Sequence, residues 1–187
     1  MRKYRAICLS CSPRKGGNTD VMVRKVSETL TGSGVAVEFV RTADLKLSPC
    51  DACWHCSGTG HCRVNDDMQA IYPRLMQADA VVIGSPVHMG HSVSGQAQIF
   101  LDRTFALWHQ KRLTDKIGGA IAVSNRRGTM GAVKVINGTL LAHHIMVAGY
   151  ATGYGLAPGD VSQDARALKE AEALGRRVYQ LMTAMGR

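Results

Sequence analysis

The stretch that decides the fold is KYRAICLSCSPRKGGNT, residues 3–19. Its first half is a short apolar run without helical periodicity, which predicts a buried strand from about Lys3 to Leu9. A loop rich in glycine, serine and proline follows, and a helical pattern then extends from about Thr19 to Leu30. A strand, a glycine-containing loop and a helix in this order predict the first unit of a parallel α/β sheet.

The rest of the chain repeats this alternation. Further strands are predicted at VAVEFVR (35–41), AVVIGSP (80–86), IGGAIAVSN (117–125) and IMVAG (145–149). Further helices are predicted at 66–79, with a cap at Asp66 or Asp67 and a disturbance at Pro73, and at 94–109, 130–144 and 164–182. Strands that alternate with helices form parallel βαβ units, whose crossovers are right-handed. We therefore predict a single α/β domain over residues 1–187, with a flavodoxin-like, doubly wound five-stranded parallel sheet.

Composition indicates an ordinary globular chain. The 187 residues are 45% hydrophobic and 20% charged, which does not fit a disordered protein. No apolar run reaches the roughly 18 to 20 residues of a membrane span, and the apolar N-terminal segment is too short for a secretory signal. We therefore expect a cytoplasmic protein, where a reducing environment argues against reading the six cysteines as a disulfide framework.

The net charge of +9 indicates anionic ligands or an acidic protein partner rather than nucleic acid. Basic residues are scattered along the sequence in ones and twos. Only 5% of residues are aromatic, whereas nucleic-acid surfaces usually interleave clustered cations with aromatic side chains. We therefore expect no nucleic-acid partner.

The loop after the first strand has the groups that bind a phosphate. It offers hydroxyl, amide and guanidinium groups and two adjacent glycines: Ser10, Ser12, Arg14, Gly16, Gly17, Asn18 and Thr19. Glycines let backbone N–H groups turn inward, and the following helix presents its positive end. An ordinary helix cap is the alternative. Cys8 and Arg14 have the spacing of a phosphatase motif, but we expect Cys8 to be a buried, inert strand thiol.

Two further loops are predicted at the same sheet edge, because the carboxyl ends of parallel strands meet there. They are GSPVHMGHSVSG after the third strand and SNRRGTMG after the fourth. Together with a phosphate loop, they predict a site for the planar heterocycle of FMN. Single residues in and near these loops have simpler explanations: His88 and His91 as surface loop histidines, Asp102 and Arg103 as partners of their helix neighbours, and His143 and His144 as solvated helix residues.

The combination of SPRKGGNT with GSPVHMG…SG…LDR resembles the NADPH-dependent FMN reductase family over essentially the whole chain. The resemblance implies a flavin-dependent oxidoreductase with FMN as cofactor and NAD(P)H as a possible substrate. It assigns the FMN phosphate to Ser10, Ser12, Arg14, Gly17, Asn18 and Thr19. It borders the ring with Pro86, Val87, His88, Met89, Gly90, Ser124, Asn125, Arg126 and Gly128. No catalytic side chain is predicted, since hydride transfer to a flavin needs no acid or base.

A compact C-x2-C-x2-C-x5-C motif, formed by Cys50, Cys53, Cys56 and Cys62, lies in a loop at about residues 48–64. Two short spacers bring thiolates to several corners of a cubane, and two glycines in SGTGH let the last cysteine fold back. The motif predicts a [4Fe-4S] cluster. A zinc site, which usually has two well-separated C-x2-C pairs, and free or redox-active thiols are the alternatives.

Within the family, this motif resembles that of the iron–sulfur flavoproteins. The resemblance implies electron transfer between the cluster and FMN, in a homodimer or homotetramer where one chain's cluster approaches its neighbour's FMN. Ferredoxin or NAD(P)H is the expected electron partner. Two other hypotheses remain at this point. One is a cluster-free NAD(P)H-dependent FMN or quinone reductase, and the other is a redox sensor or zinc-stabilised interaction module without turnover.

Overall fold

Five strands run parallel to one another in the computed structural model, which describes residues 4–186. In chain order they are β1 (Arg5–Ser10), β2 (Ala36–Arg41), β3 (Ala80–Pro86), β4 (Ile117–Ser124) and β5 (Met146–Tyr154). The strands lie in the order β2-β1-β3-β4-β5, and every neighbouring pair is parallel. This is the order of a doubly wound flavodoxin-like sheet, so the predicted fold class is confirmed.

Within residues 4–186, seven α-helices connect or follow the strands. They are α1 (Asn18–Gly32), α2 (His55–Thr59), α3 (Met68–Gln77), α4 (Gly95–Arg103), α5 (Phe105–Trp108), α6 (Thr129–Ala142) and α7 (Ala165–Ala184). Short 3₁₀ turns follow β2 and β5, at Thr42–Asp44 and Asp160–Gln163. No helix in this part of the chain combines the length and the apolar character needed to cross a membrane.

The sheet lies between two layers of helices. Because successive strand side chains point to opposite faces, β1 contributes Ala6 and Cys8 to one core and Ile7 and Leu9 to the other. The first core packs against α1 and α7, and the second packs against α3, α4, α5 and α6. Burial on both faces of β1, β3 and β4 explains why these strands are nearly continuous apolar runs in the sequence.

The structure corrects two details of the predicted elements in this part of the fold and leaves a third untested. The helix predicted at 94–109 is divided at Thr104, whose hydroxyl donates to the carbonyl oxygen of Leu101 at 2.6 Å. The helix at 66–79 is α3, and it continues through Pro73 without interruption. The predicted start of the first strand, Lys3, lies outside the described residues.

The fifth strand is longer than predicted, because it continues through a bulge. The register on β4 shifts between Gly118 and Gly119, which pair with Val147 and Gly149. The residue between these two partners has no counterpart on β4, which is the geometry of a β-bulge. The sequence prediction ended the strand at Gly149, whereas the strand reaches Tyr154. This extension brings the following loop to the same sheet edge as the other loops.

The sequence suggested a solvated histidine at position 143. The structure instead buries His143, with 5% of its surface exposed. Its Nε2 lies 2.9 Å from the Thr104 hydroxyl, whose proton goes to Leu101, so Nε2 carries the hydrogen. Its Nδ1 is buried without a partner. Burial, and then the neighbouring His144, lower the pKa of His143 to about 4. Protonation would place an unpaired charge in the core.

We expect this histidine to make stability depend on pH. A folded pKa below the unfolded value near 6.5 means that the unfolded chain takes up the proton first. The free energy of unfolding should therefore fall as pH is lowered from about 6.5 towards about 4, by up to about 1.4 kcal/mol per pH unit. Urea unfolding of wild type and His143→Gln would measure the slope, which should be flatter in the variant. His144→Asn removes only the smaller cause of the lowered pKa of His143, so this variant should keep most of the wild-type slope.

Candidate functional site

A cavity of about 280 Å³ lies where the loops after β1, β3, β4 and β5 meet. Ten of the residues predicted to bind FMN line it: Ser12, Arg14, Gly17, Asn18, Thr19, Pro86, Val87, His88, Ser124 and Asn125. The remaining wall residues are Pro13, Val123, Gly155, Leu156 and Pro158. Gly155 to Pro158 were missed because the sequence prediction ended the fifth strand too early. A prediction that continued β5 to Tyr154 would have placed these residues at this edge of the sheet.

One end of this cavity has the donors that a phosphate requires. The first N–H groups of α1 have no carbonyl partner within the helix and carry its positive end. Ser12 Oγ accepts the Arg14 N–H at 3.1 Å, which fixes the turn before the helix. The Arg14 guanidinium donates to the Leu156 carbonyl at 3.1 Å, and it has further N–H donors. These donors fit the phosphate of FMN.

Asn18 has a structural partner rather than a free amide. Its Nδ2 donates to the carbonyl oxygen of Ala157 at 2.9 Å, and its Oδ1 accepts the N–H of Val161 at 3.1 Å. The side chain therefore joins the start of α1 to the loop after β5. One of the two Nδ2–H groups is used in this contact, and the other stays available for the predicted phosphate contact.

Ser10 lies behind the phosphate loop instead of on the cavity wall. Its hydroxyl donates to Asp20, whose carboxylate also accepts the Gly16 N–H at 2.8 Å and the Arg41 Nε–H at 3.0 Å. The Asp20 and Arg41 side chains are almost completely buried, 2% and 7% exposed. Sequence reasoning missed Asp20, because a carboxylate in the first turn of a helix is usually explained by the helix dipole alone.

The opposite end of the cavity is formed by the loops after β3 and β4. Pro86, Val87 and His88 give it an apolar side, and Asn125 a polar one. Ser124 Oγ donates to the Arg127 carbonyl at 2.6 Å and accepts the Arg127 N–H at 3.2 Å, which makes a tight turn. A flat ring fits between such walls.

Four predicted ring contacts do not line the cavity: Met89, Gly90, Arg126 and Gly128. Met89 is 89% exposed and Arg126 is also exposed, because both turns direct these residues outward. Gly90 and Gly128 instead pack against each other. A Cβ on Gly128 would overlap the Gly90 carbonyl, and Gly128 has a left-handed φ of 88°.

Gly131 makes a similar contact one turn into α6, where a Cβ would overlap the His91 carbonyl oxygen. We expect Gly131→Ala to lower the free energy of unfolding and to weaken FMN binding, since the loop after β3 must move. Gly138→Ala in the same helix meets no atom within 4 Å and should stabilise the fold by roughly 0.5 to 1 kcal/mol. Urea unfolding and flavin titration would measure both; two stabilising substitutions would contradict the close approach.

All four motif cysteines line a second cavity, of about 120 Å³. Cys50 and Cys53 are exposed, and Cys56 and Cys62 are partly buried. The remaining wall comes from the same loop and from the end of α4 and the start of α5: Asp51, Ala52, Trp54, Arg63, Val64, Asp102, Arg103, Phe105 and Ala106. Burial, and then the neighbouring thiols, raise the pKa of Cys56. The structure therefore brings the four thiols together.

The backbone of the cysteine loop has a conformation suited to an anionic group. Ala52 and Trp54, on either side of Cys53, have left-handed φ angles of 53° and 57°. Such residues are strained unless their surroundings hold them, and alternating left-handed conformations turn successive N–H groups towards one side. Iron–sulfur clusters are among the groups that occupy these concavities. Four thiols with such a backbone fit a [4Fe-4S] cluster.

The thiols surround a common space rather than one point. Within residues 4–186, no three His, Cys, Asp or Glu side chains are grouped as ligands of a single metal ion.

Cys8, the cysteine of the phosphatase-like spacing with Arg14, is fully buried, and burial raises its pKa to about 11. This thiol is therefore inert, as predicted.

Aromatic side chains border the cysteine cavity, which the sequence reasoning did not predict. Trp54, 63% exposed, packs edge-on against Phe105 with ring centroids 5.7 Å apart. Phe105 also stacks on Trp108 at 5.6 Å. These contacts fix the cysteine loop against α5. No residue in the described part of the chain lines both this cavity and the first one.

Comparison with known proteins agrees with this geometry. The family model for NADPH-dependent FMN reductase matches residues 4–154. An iron-sulfur flavoprotein of Methanocaldococcus jannaschii is 35% identical over 188 residues, which cover 95% of this chain and 97% of that protein. One from Archaeoglobus fulgidus is 34% identical over 177 residues, covering 94% and 79% of the two chains.

Among solved structures, a flavodoxin from the domain Archaea superposes with a TM-score of 0.64 at 18% identity, over 96% of this chain and 99% of that one. The likeness to this structure supports the fold alone, and the family assignment rests on the family model and the sequence relatives. The chain, with its flavodoxin-like sheet, therefore belongs to the NADPH-dependent FMN reductase family and is a flavin-dependent oxidoreductase.

Proposed function

We propose that this protein is an iron–sulfur flavoprotein, an electron-transfer oxidoreductase that holds one FMN and one [4Fe-4S] cluster and exchanges electrons between them. The observation that carries the proposal is the cavity lined by all four motif cysteines, which shares no described wall residue with the proposed FMN cavity. Relatives named iron-sulfur flavoproteins support it.

The chain's own residues would bind and orient the two groups. Ser12, Arg14 and the start of α1 would hold the FMN phosphate, and the loops after β3 and β4 would border the ring. The four motif cysteines would ligate the cluster. When bound, FMN supplies two-electron or single-electron chemistry and a cluster supplies single-electron chemistry. Trp54, Phe105 and Ala106 would border the cluster, and such surroundings affect a cluster's reduction potential.

We further propose a homodimer or homotetramer in the cytoplasm. Because the two cavities share no wall residue among those described, approach of one chain's cysteine loop to a partner's FMN cavity would shorten the electron path. Ferredoxin or NAD(P)H is the proposed external electron partner. The net charge of +9 favours an acidic protein such as ferredoxin, through electrostatic steering.

The test is an anaerobic purification followed by iron, sulfide and flavin assays and a visible spectrum. We expect about four irons and one FMN per chain, with absorption that dithionite bleaches. Flavin without iron, persisting after anaerobic reconstitution, would overturn the cluster. It would instead favour a cluster-free NAD(P)H-dependent FMN or quinone reductase, a function compatible with an FMN cavity built without the cysteine loop.

A further inference from the structure

The buried guanidinium of Arg103 closes the cysteine loop at both ends. Its Nη1 donates to the carbonyl oxygen of Ser48 at 2.8 Å, two residues before the first motif cysteine. Its Nη2 lies 3.4 Å from the carbonyl oxygen of Val64, two residues after the last one. The Arg103 side chain is 0% exposed. A single buried side chain thus joins the chain before the motif to the chain after it.

Asp66 completes this clamp. Its Oδ2 accepts from Arg103 Nη1 at 2.5 Å and its Oδ1 from Nη2 at 3.0 Å, so the pair is bidentate. The same carboxylate accepts the N–H groups of Ser48 at 2.8 Å and Met68 at 3.1 Å. The sequence suggested that Arg103 pairs with a helix neighbour, and the structure shows that it does not. Its partner lies 37 residues earlier in the chain.

One donor of Arg103 remains unused. A guanidinium has five N–H donors, and the four on Nη1 and Nη2 have partners. The fifth, Nε–H, is buried without a partner. Buried polar groups in native proteins nearly always have a hydrogen-bond partner, so an unpaired one needs an explanation. Arg103 lines the cavity between the four cysteines, where thiolate or sulfide sulfur would supply an acceptor.

We propose that Arg103 is a positioning residue that preorganises the cysteine loop and donates its Nε–H to a sulfur of the bound cluster. The inference rests on the proposed function, since it requires a cluster in this cavity. Hydrogen bonds to sulfur and nearby positive charge favour the more negative, reduced state of a cluster. Arg103 therefore raises the reduction potential, in addition to holding the loop.

Two measurements on three variants test these two roles. Hydrogen exchange of residues 48–66 in the iron-free protein reports on the clamp, and the cluster midpoint potential reports on the donor. The variants are Arg103→Gln, the charge-neutral pair Arg103→Gln with Asp66→Asn, and Arg103→Lys, which retains a charge if the others fold poorly. Arg74→Gln is the matched control. Its partner is Glu38, and it lines no part of the cysteine cavity.

We expect at least tenfold faster exchange of the loop in every Arg103 variant and none of this change in the control. At a fixed solution potential, the ratio of oxidised to reduced cluster should be at least tenfold higher in Arg103→Gln than in wild type. For a one-electron couple, this corresponds to a midpoint potential lower by at least 59 mV. The double variant, without the uncompensated aspartate, should fall between it and wild type. Complete loss of iron from the Arg103 variants alone would also support the clamp.

Unchanged loop exchange in the Arg103 variants would overturn the clamp. Unchanged potentials in variants that keep their iron would overturn the donor role. These results differ from failure of the proposed function, in which the wild-type protein would itself take up no iron on reconstitution. The exchange measurement on the iron-free chain would still test the clamp in that case.

Discussion

Replacing Cys53 or Cys56 with serine is expected to remove the iron from the protein and leave the flavin in place. Each thiolate would occupy one corner of a cubane, and a serine hydroxyl is a poor ligand for a metal that prefers soft sulfur. Iron content after anaerobic reconstitution should fall from about four per chain to less than about one. FMN content should stay near one per chain, because neither cysteine lines the FMN cavity.

Cys8→Ala is the matched control for this experiment. Cys8 is fully buried in β1 and lies outside the motif. Its replacement should leave both iron and flavin contents unchanged, apart from a modest loss of stability. Iron and sulfide assays on the same preparations would measure the outcome. Full iron retention in Cys53→Ser and Cys56→Ser would show that the cavity is not the iron site.

Replacing Asp20 with asparagine is expected to weaken FMN binding between ten- and a hundredfold, about 1.4 to 2.8 kcal/mol. Asp20 accepts from the Ser10 hydroxyl, the Gly16 N–H and the Arg41 Nε–H. An asparagine oxygen is uncharged, so its hydrogen bonds to the Gly16 N–H and the Arg41 Nε–H would be weaker than those of the carboxylate. The buried Arg41 would keep its ion pair with Asp44 at 2.6 Å but lose the one with Asp20. The loop that contains Gly16 would then no longer be held in its phosphate-binding conformation.

The effect of Asp20→Asn should be specific for the phosphate. Titration with FMN and with riboflavin, which lacks the phosphate, separates loop ordering from a general loss of structure. We expect riboflavin affinity to change less than about twofold, about 0.4 kcal/mol. Asp164→Asn is the control, since Asp164 caps α7 and does not line the cavity. Equal weakening of both ligands would mean that Asp20 supports the fold and not the loop.

The sheet was predictable because its three central strands, β1, β3 and β4, are buried on both faces. AVVIGSP coincides with β3 residue for residue, and VAVEFVR and IGGAIAVSN each extend one residue beyond β2 and β4. Elements that depend on distant contacts were less predictable. The division at Thr104 involves a hydroxyl in contact with His143, 39 residues away. The extension of β5 required a bulge within β5 itself, which local periodicity does not reveal.

The candidate site shows the same division. The phosphate loop and the cysteine motif were found from the residue types alone, because glycines, hydroxyls and thiols at short spacing restrict the possible ligands. Ten of the fifteen predicted FMN residues line the cavity. The other five predicted residues lie elsewhere because tertiary contacts and turns determine their positions. Ser10 turns to Asp20, and Met89 and Arg126 lie on the outer side of tight turns.

The sequence by itself determined the parallel α/β sheet, the glycine-containing loop after β1 and the set of four thiols. These features arise from local composition and short spacing, which are independent of the rest of the fold. Only the tertiary structure decided the partners of the polar side chains: Asn18 with a loop 139 residues away, Asp20 with Arg41, and Arg103 with both ends of the cysteine loop. A buried polar group must pair with whatever the fold brings within about 3 Å, and that proximity is absent from the linear sequence.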